Sequence, residues 1–562
     1  MAFNRTAESW VEVAGTRTPF TPGQSIWDVL RATGGEDIWG DDPVVLATVN
    51  GRRAHLLERL WGGERIQLVR LSDGEAHSTM VRTLCAVLAA AAAELWPERQ
   101  LLVDFSYGNG MYCELRGPDG RDGIAPEQLE RLAARMREIA GRGLTLEPRV
   151  YGLRELMGIL RASRRDFAIR AARYIRQEAV TLYQLDGSSL HFYGLQLPTT
   201  AGVRAFALAA EPPGFVLLPS VPGHPDRVTG LVPQPKLLES LRGYSRWADQ
   251  MGFADLGSIN AFVVEGRAGE LIQVEEARHA RVMVDAAGRV ADLPEDGRLV
   301  LVAGPSSSGK TSFAKRLALQ LRVRGLSPVA LSLDDYFVPR EQTPRDADGE
   351  LDYESLGAIQ VDLFNQHLQA LMAGESVRLP RYDFPTGASS LREERFAVAR
   401  GQPLIVEGIH ALDPALTPGV AARQKLHVYV SALCHLNVDE LSYIPTHLTR
   451  LYRRIVRDAR YRGYTASATL ARWPKVREGE QKWVFPHQQN ADIFFNAGLV
   501  YELGVLKLWA EPRLAAVEPD DPNYGRARSL IETLTLLLPI DASQVPPTSL
   551  LREFIGGSGF HY

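Results

Sequence analysis

Cysteine is scarce in this chain: Cys85, Cys113 and Cys434 are the only three among 562 residues. They lie far apart and form no C-x-x-C pair, which excludes a disulfide framework and a paired-thiol redox motif and fits a reducing compartment. No sign of charge dominates either. The 63 Lys and Arg residues nearly balance the 67 Asp and Glu residues, for a formal net charge of -4. That balance argues against a nucleic-acid coat or a polyanion partner. Long apolar runs are missing. The longest, CAVLAAAAAELW at 85–96, is too short to span a bilayer, and its alanines read as a buried helix. The opening MAFNRTAESW lacks the apolar stretch of a signal peptide. There is no internal repeat and no low-complexity tract. These absences lead to the expectation of a cytoplasmic protein with no membrane partner.

What is present is ordinary globular composition, 45% hydrophobic and 23% charged. At roughly 100–200 residues per domain, the length suggests about three or four domains. The first 67 residues alternate short β-type runs, SWVEVAG and VVLATVNGRRAHLL, around a helical run SIWDVLRAT, and the "VNG" reads as a strand entering a tight turn. Residues 68–225 read as mixed α/β: a helix from His77 to Leu95, a hairpin over LLVDFSYGNGMYCEL, an amphipathic helix over APEQLERLAARMREIAGRG, and a further helix over about 153–180. Residues 226–297 hold two helical runs and end in the turn-rich DAAGRVADLPEDGR, read as a linker region.

From 298 the pattern changes. RLVLVAG is a near-continuous apolar run, as expected of a strand buried on both faces of a parallel sheet. VALSLDD, PLIVEGI, LHVYVSA and ADIFFN are further strands alternating with helices to about residue 500, which predicts a doubly wound α/β domain. Residues 501–562 read as its helical extension.

Between the first of these strands and its helix lies G-P-S-S-S-G-K-T, a full match to G-x-x-x-x-G-K-[ST] at Gly304, Gly309, Lys310 and Thr311. Backbone N–H groups of such a loop and of the helix N-terminus hold phosphate; the lysine bridges the β- and γ-phosphates, and the threonine hydroxyl binds Mg²⁺. ATP and Mg²⁺ are the implied cofactors. In open α/β sheets ligands bind at the carboxyl ends of the strands. Asp334 and Asp335 stand at one such end, in VALSLDDYFVPR. Asp334 is the candidate to orient an acceptor hydroxyl and take its proton, and Asp335 could equally cap the next turn. Glu407 ends the strand of PLIVEGIHAL and is the second candidate for Mg²⁺. The run THLTRLYRRIVRDARYRG places Arg450, Arg453, Arg454 and Arg457 on one helix face, as expected of a lid that clamps phosphates.

Together GPSSSGKTSFA, SLDDYF, LDYESLGAI, RYDFPTG, IVEGIHAL and RRIVRDARYRG resemble the uridine kinase/phosphoribulokinase family of P-loop kinases. The resemblance spans about 298–500. It implies Asp334 as catalytic base with Lys310, Arg454 and Arg457 at the transferring phosphoryl group. Nucleotide contacts fall to Gly304, Ser306, Ser307, Ser308, Gly309, Lys310, Thr311, Ser312 and Arg462, and metal contacts to Thr311 and Glu407. The acceptor falls to Asp334, Phe337, Glu354 and Tyr382, with Glu354 on the ribose hydroxyls. Three positions depart from the family pattern: Gly387 stands where uridine-cytidine kinases carry a base-reading histidine, Leu356 where a proline is expected, and Tyr464 in place of a final lid arginine.

The front half is similar to the N-terminal part of threonyl-tRNA synthetase. VVLATVNGRRAHLLERL resembles its small β-grasp-like TGS module, placed at 1–67, and GEAHSTMVRTLCAVLAAAAAELWP resembles its editing domain, placed at 68–225. That domain binds metal through HxxxH and a later CxxxH. Here Val81 follows His77 at the second histidine position, and Cys113 is followed by Glu, Leu, Arg and Gly117, so metal-dependent tRNA deacylation is not expected. The implied whole is an ATP-dependent nucleoside kinase acting on the 5′-hydroxyl of uridine or cytidine, and a homo-oligomer. Two alternatives remain open: a kinase for another ribosyl or sugar-alcohol acceptor, and an RNA-linked regulatory protein with an ATP-binding domain.

Overall fold

The computed structural model describes residues 10–33, 40–117, 123–163, 165–186, 188–191, 194–295, 297–384, 386–433 and 436–561; Cys434 lies outside them. The first region is a five-stranded sheet in the order Thr16–Pro19, Trp10–Val13, Arg65–Arg70, Val44–Val49, Arg52–Ala54. Asn50 and Gly51 both take positive φ, 49° and 77°, and so form the tight turn between the last two strands of that order. Helix Ile26–Thr33 starts on a reciprocal cap: Ser25 N donates to Asp28 Oδ2 at 3.0 Å, and Asp28 N donates to Ser25 Oγ at 3.1 Å. Its apolar face, Ile26, Val29 and Leu30, packs with Val11, Val44 and Leu56. Strand Arg65–Arg70 runs across residue 67.

The second region has a sheet ordered Phe206–Glu211, Gly214–Val221, Gly110–Arg116, Gln100–Tyr107, with His224–Val228 added to Gly214–Val221. Helices Gly74–Leu95 and Pro126–Gly141 cover it. The alanine-rich run is part of a helix of 22 residues, longer than the sequence pattern implied. By length and composition this helix could span a bilayer, but Leu84–Ala92 is buried against the sheet and the second helix. The helix expected over 153–180 is two, Leu153–Ala162 and Asp166–Ala172. Beyond them the β-branched alternation of AVTLYQL wins, and Ala179–Leu185 pairs with Glu147–Gly152 and Ser188–His191.

Residues 226–297 carry three helices, Pro235–Met251, Leu256–Val264 and Ala268–Ala291, rather than two. They do not behave as a linker: Tyr244, Ala248, Leu271 and Val290 share one core with Val300 and Phe313 of the next region. That region is built on a fully parallel sheet in the order Val329–Ser332, Leu404–Glu407, Leu299–Ala303, Lys425–Ser431, Ile493–Asn496. The central strand alternates between two cores, as a doubly covered strand must. Val300 and Val302 face Ala268–Ala291, Lys310–Val323, Thr446–Tyr461 and Glu502–Ala515; Leu299, Leu301 and Ala303 face Val361–Met372. The tail, through Leu550, Leu551 and Phe554, belongs to the first of these cores. A small hairpin, Leu436–Asn437 with Tyr443–Ile444, docks on the second region's sheet. Asn437 Nδ2 donates to Val103 O at 3.0 Å, Val103 N donates to Glu440 O at 2.8 Å, and the Ser106 and Tyr443 hydroxyls meet at 2.6 Å. This hairpin leads directly into helix Thr446–Tyr461.

Candidate functional site

Strand Leu299–Ala303 delivers the chain into the glycine-rich loop at the carboxyl end of the sheet. A Cβ on Gly304 would overlap the Val430 carbonyl, so the loop leaves the strand only as glycine. Ser307 at φ 59° and Gly309 at φ 91° turn the chain back, and helix Lys310–Val323 begins at once. The Ser307 and Ser308 hydroxyls are buried and have no hydrogen-bond partner. Buried polar groups are almost always satisfied, so a loop holding two that are not is shaped for a polar ligand. Lys310 Nζ folds back over the loop and donates to Pro305 O at 3.2 Å.

The loop is braced from helix Thr446–Tyr461. Arg450 Nη1 donates to Ser306 O at 3.0 Å, Arg453 Nη1 to Ser308 O at 3.2 Å, and Arg454 Nη1 to Ser306 Oγ at 2.7 Å. Two of these arginines are themselves fixed by buried acids. Arg450 pairs with Glu480, which also accepts from Ser306 N at 3.1 Å. Arg453, fully buried, pairs with Glu502 at 2.5 and 2.9 Å. Arg454, Arg457 and Arg462 instead converge on Asp458, at 3.2, 2.8 and 3.7 Å. The four-arginine face expected as a clamp thus divides: Arg450 and Arg453 hold the loop backbone from buried acid partners, while Arg454 touches the Ser306 hydroxyl and, with Arg457 and Arg462, gathers around Asp458.

At the ends of the flanking strands stand the acids. Glu407 Oε1 lies 3.4 Å from Thr311 Oγ1 and accepts from Ser332 Oγ at 3.0 Å. Burial, followed by the nearby Asp334 charge, pushes the Glu407 carboxyl up to about 7, against the opposing pull of Lys310. Asp334 is exposed on the short turn after strand Val329–Ser332. The Asp335 carboxylate pairs with Arg392 Nη2 at 2.8 Å. Glu354 is held up to about 7 by burial and then by Glu480, with Arg454 and Lys310 pulling it down. It fits because residue 479 is glycine: a Cβ there would overlap the Glu354 side chain. The residues expected to act together therefore lie within reach of one another's charge, since Asp334 acts on Glu354, Glu407 and Arg462 alike.

Beyond Glu354 is an aromatic cluster. Tyr382 lies 5.3 Å from Phe337 and 5.0 Å from Phe384, ring centre to ring centre, and Phe337 lies 6.1 Å from Tyr353. The Phe384 ring is half exposed.

Sequence reasoning missed the bracing roles of Arg450 and Arg453, and it missed the C-terminal tail. Ser312 Oγ donates to Glu553 Oε2 at 2.6 Å, and Leu550 covers Gly309 so closely that a Cβ there would overlap it. Lys315 Nζ bonds the His561 carbonyl. Only a contact map, not a local pattern, carries such information across some 240 residues of chain.

In the second region His77 is half-buried and burial lowers its basicity. Cys113 is buried and donates to Met111 O at 3.5 Å. No group of three or more His, Cys, Asp or Glu side chains suited to a metal ion occurs among the described residues.

A parallel sheet with a glycine loop, a loop lysine and a strand-end acid defines the C-terminal region as a P-loop kinase fold. Residues 299–502 match the Phosphoribulokinase / Uridine kinase family. Among similar proteins, the uridine kinase of Halobacterium salinarum is 25% identical over 198 residues, covering 35% of this chain and 79% of that protein. The uridine kinase of Deinococcus deserti is 28% identical over 199 residues, covering 35% of this chain and 86% of that protein. A solved structure of a possible uridine kinase from Bacillus stearothermophilus aligns over 38% of this chain and 98% of its own, at 22% identity and a TM-score of 0.26.

Proposed function

We propose that this chain is an ATP-dependent nucleoside kinase that transfers the γ-phosphoryl group to the 5′-hydroxyl of uridine or cytidine. The observation that carries the reading is the glycine loop at the carboxyl end of the parallel sheet, with buried, unpartnered Ser307 and Ser308 hydroxyls, Lys310 folded over it, and Glu407 Oε1 3.4 Å from Thr311 Oγ1. The loop residues Gly304, Ser306, Ser307, Ser308, Gly309 and Ser312 cradle the phosphates. Lys310 swings from Pro305 O to the transferring group. Thr311 and Glu407 would hold Mg²⁺, and their paired oxygens suit an ion that takes few protein ligands. When bound, Mg²⁺ neutralises charge on the phosphoryl oxygens. Glu354 binds the ribose hydroxyls, while Phe337 and Tyr382 stack on the base. Asp334, exposed and free of an ion pair among the described contacts, orients the 5′-hydroxyl and accepts its proton. Arg454, Arg457 and Arg462 stabilise the charge that builds up in the transition state. The front half keeps its reading as a TGS-like module and an editing-like domain without a metal site. The two similar uridine kinases support the choice of acceptor.

The test is ADP release from MgATP with a panel of nucleosides, ribosyl compounds and sugar alcohols. Turnover driven by uridine or cytidine is expected. Turnover confined to a sugar or sugar alcohol would replace this reading with the second one, which the glycine at 387 favours.

A further inference from the structure

The acceptor pocket has an edge as well as faces. Gly387 lies at φ +75°, and a Cβ built on it would fall 2.6 Å from Arg340 Nε and 2.8 Å from Arg340 Cζ. The Arg340 side chain therefore lies flat on the glycine. One side-chain hydrogen bond keeps it there, with Nη2 donating to Phe384 O at 2.8 Å, and the backbone is tied alongside, Arg340 N donating to Gly387 O at 3.0 Å. The turn beneath is fixed in its own right, since Thr386 N and Oγ1 both donate to Asp383 Oδ1 at 2.8 Å. The guanidinium borders the Tyr353 and Tyr382 phenols, at the margin of the aromatic cluster.

We propose that Arg340 is the specificity residue for the acceptor base, reading carbonyl oxygen and so selecting uridine over cytidine; this rests on the nucleoside-kinase reading. A guanidinium has only donors. Uracil offers it a carbonyl at the position where cytosine carries an amino group, and an amino group facing a guanidinium sets donor against donor. A site that leaves polar groups unpaired discriminates strongly. Arg340 is part exposed, so water softens the penalty, and the expected preference is about tenfold in kcat/KM rather than the largest values such sites reach.

The experiment measures kcat/KM for uridine and cytidine with the wild type, Arg340→Met and Arg340→Lys. Wild type should favour uridine by about tenfold. Arg340→Met should raise the uridine KM and bring the ratio near one, with KM for ATP little changed. Arg340→Lys, which keeps charge but not the planar fork, should fall between. Equal use of both nucleosides by the wild type, or a ratio that Arg340→Met leaves unchanged, would overturn the proposal while leaving the kinase reading intact. Failure of the wild type to use any nucleoside would overturn both.

A separate observation lies at the other end of the site. Ser312 N and Oγ both reach Glu553 Oε2, at 3.4 and 2.6 Å, so a tail carboxylate sits on the N-terminus of the loop helix. That terminus favours anions. We infer that Glu553 is a built-in competitor for nucleotide phosphate, displaced when MgATP binds. Calorimetric titration of MgATP into the wild type and Glu553→Gln separates the possibilities, because the amide keeps a hydrogen-bond partner for Ser312 and removes the charge. About tenfold tighter binding by Glu553→Gln is expected. Unchanged or weaker binding would mean that Glu553 merely positions Ser312 and would overturn the inference. Absence of binding by both proteins would remove the nucleotide reading on which it rests.

Discussion

The two ends of the candidate site are built differently. At the phosphate end nearly every charged group is fixed: Arg450 by Glu480, Arg453 by Glu502, and Arg454, Arg457 and Arg462 by Asp458. At the acceptor end the surfaces are an exposed acid at Asp334, a half-exposed ring at Phe384 and a guanidinium resting on a glycine. Phosphate presents one unvarying charge and shape, so rigidity there lowers the reorganisation needed at the moment of transfer. The proposed acceptor end rests on a few side chains on one turn, which can be changed without disturbing the loop. On the proposed reading, the contrast puts the chemistry and the choice of substrate in separate parts of the structure.

The comparison makes predictions of graded size. Lys310→Ala should cost the most, about 10³-fold or more in kcat/KM, or some 4 kcal/mol of transition-state stabilisation, with the fold retained. Steady-state kinetics and a circular-dichroism melt check this together. Arg453→Met acts on the brace instead. It strands the buried Glu502 and should destabilise the fold by about 3–5 kcal/mol, read by chemical denaturation. A variant that melts like the wild type would show that the phosphate end is not held as described.

The acids give an effect with a sign. Glu354 and Glu407 both have folded values raised to about 7, above the ordinary range near 4.5. Their protonated forms favour the folded state. Without ligand, stability should therefore be greatest at low pH as far as these two groups are concerned, and should fall as pH rises toward and through 7. Mg²⁺ affinity in the presence of ATP should move the other way, rising through the same window as Glu407 loses its proton. Glu407→Gln should flatten the Mg²⁺ trend, leave only the Glu354 share of the stability trend, and raise the Mg²⁺ requirement about tenfold. Melting curves and Mg²⁺ titrations between about pH 5.5 and 8.5 test it. The smallest effect belongs to the edge of the acceptor end: Arg392→Ala removes the partner of Asp335 and should change the acceptor KM only about twofold.

Much of the phosphate end was legible in sequence because its chemistry is local. The glycine loop, Lys310 and Thr311 are adjacent, and Asp334 and Glu407 sit at the ends of apolar runs that read plainly as strands. What remained hidden depended on partners distant in the chain. Helical spacing placed Arg450, Arg453, Arg454 and Arg457 on one face but could not tell that Glu480 and Glu502 would bury two of them. Asp335 read as a cap because nothing near it announced Arg392. The helices of 226–297 looked like a linker because their apolar stripes do not say which sheet they cover. The end of one helix at Ala162 and the start of the next at Asp166 were missed because helical periodicity in both is in phase with a single longer helix. Gly387 was legible as a departure, but the Arg340 side chain packed against it was not.

The most direct test of the central claim is a single turnover of enzyme-bound MgATP with saturating uridine, comparing wild type with Asp334→Asn. The claim is that the exposed strand-end acid acts on the acceptor while the braced loop acts on the phosphates. It predicts a loss of about 10³-fold in the rate of UMP formation with ATP affinity unchanged. A variant that forms UMP at close to the wild-type rate would contradict it.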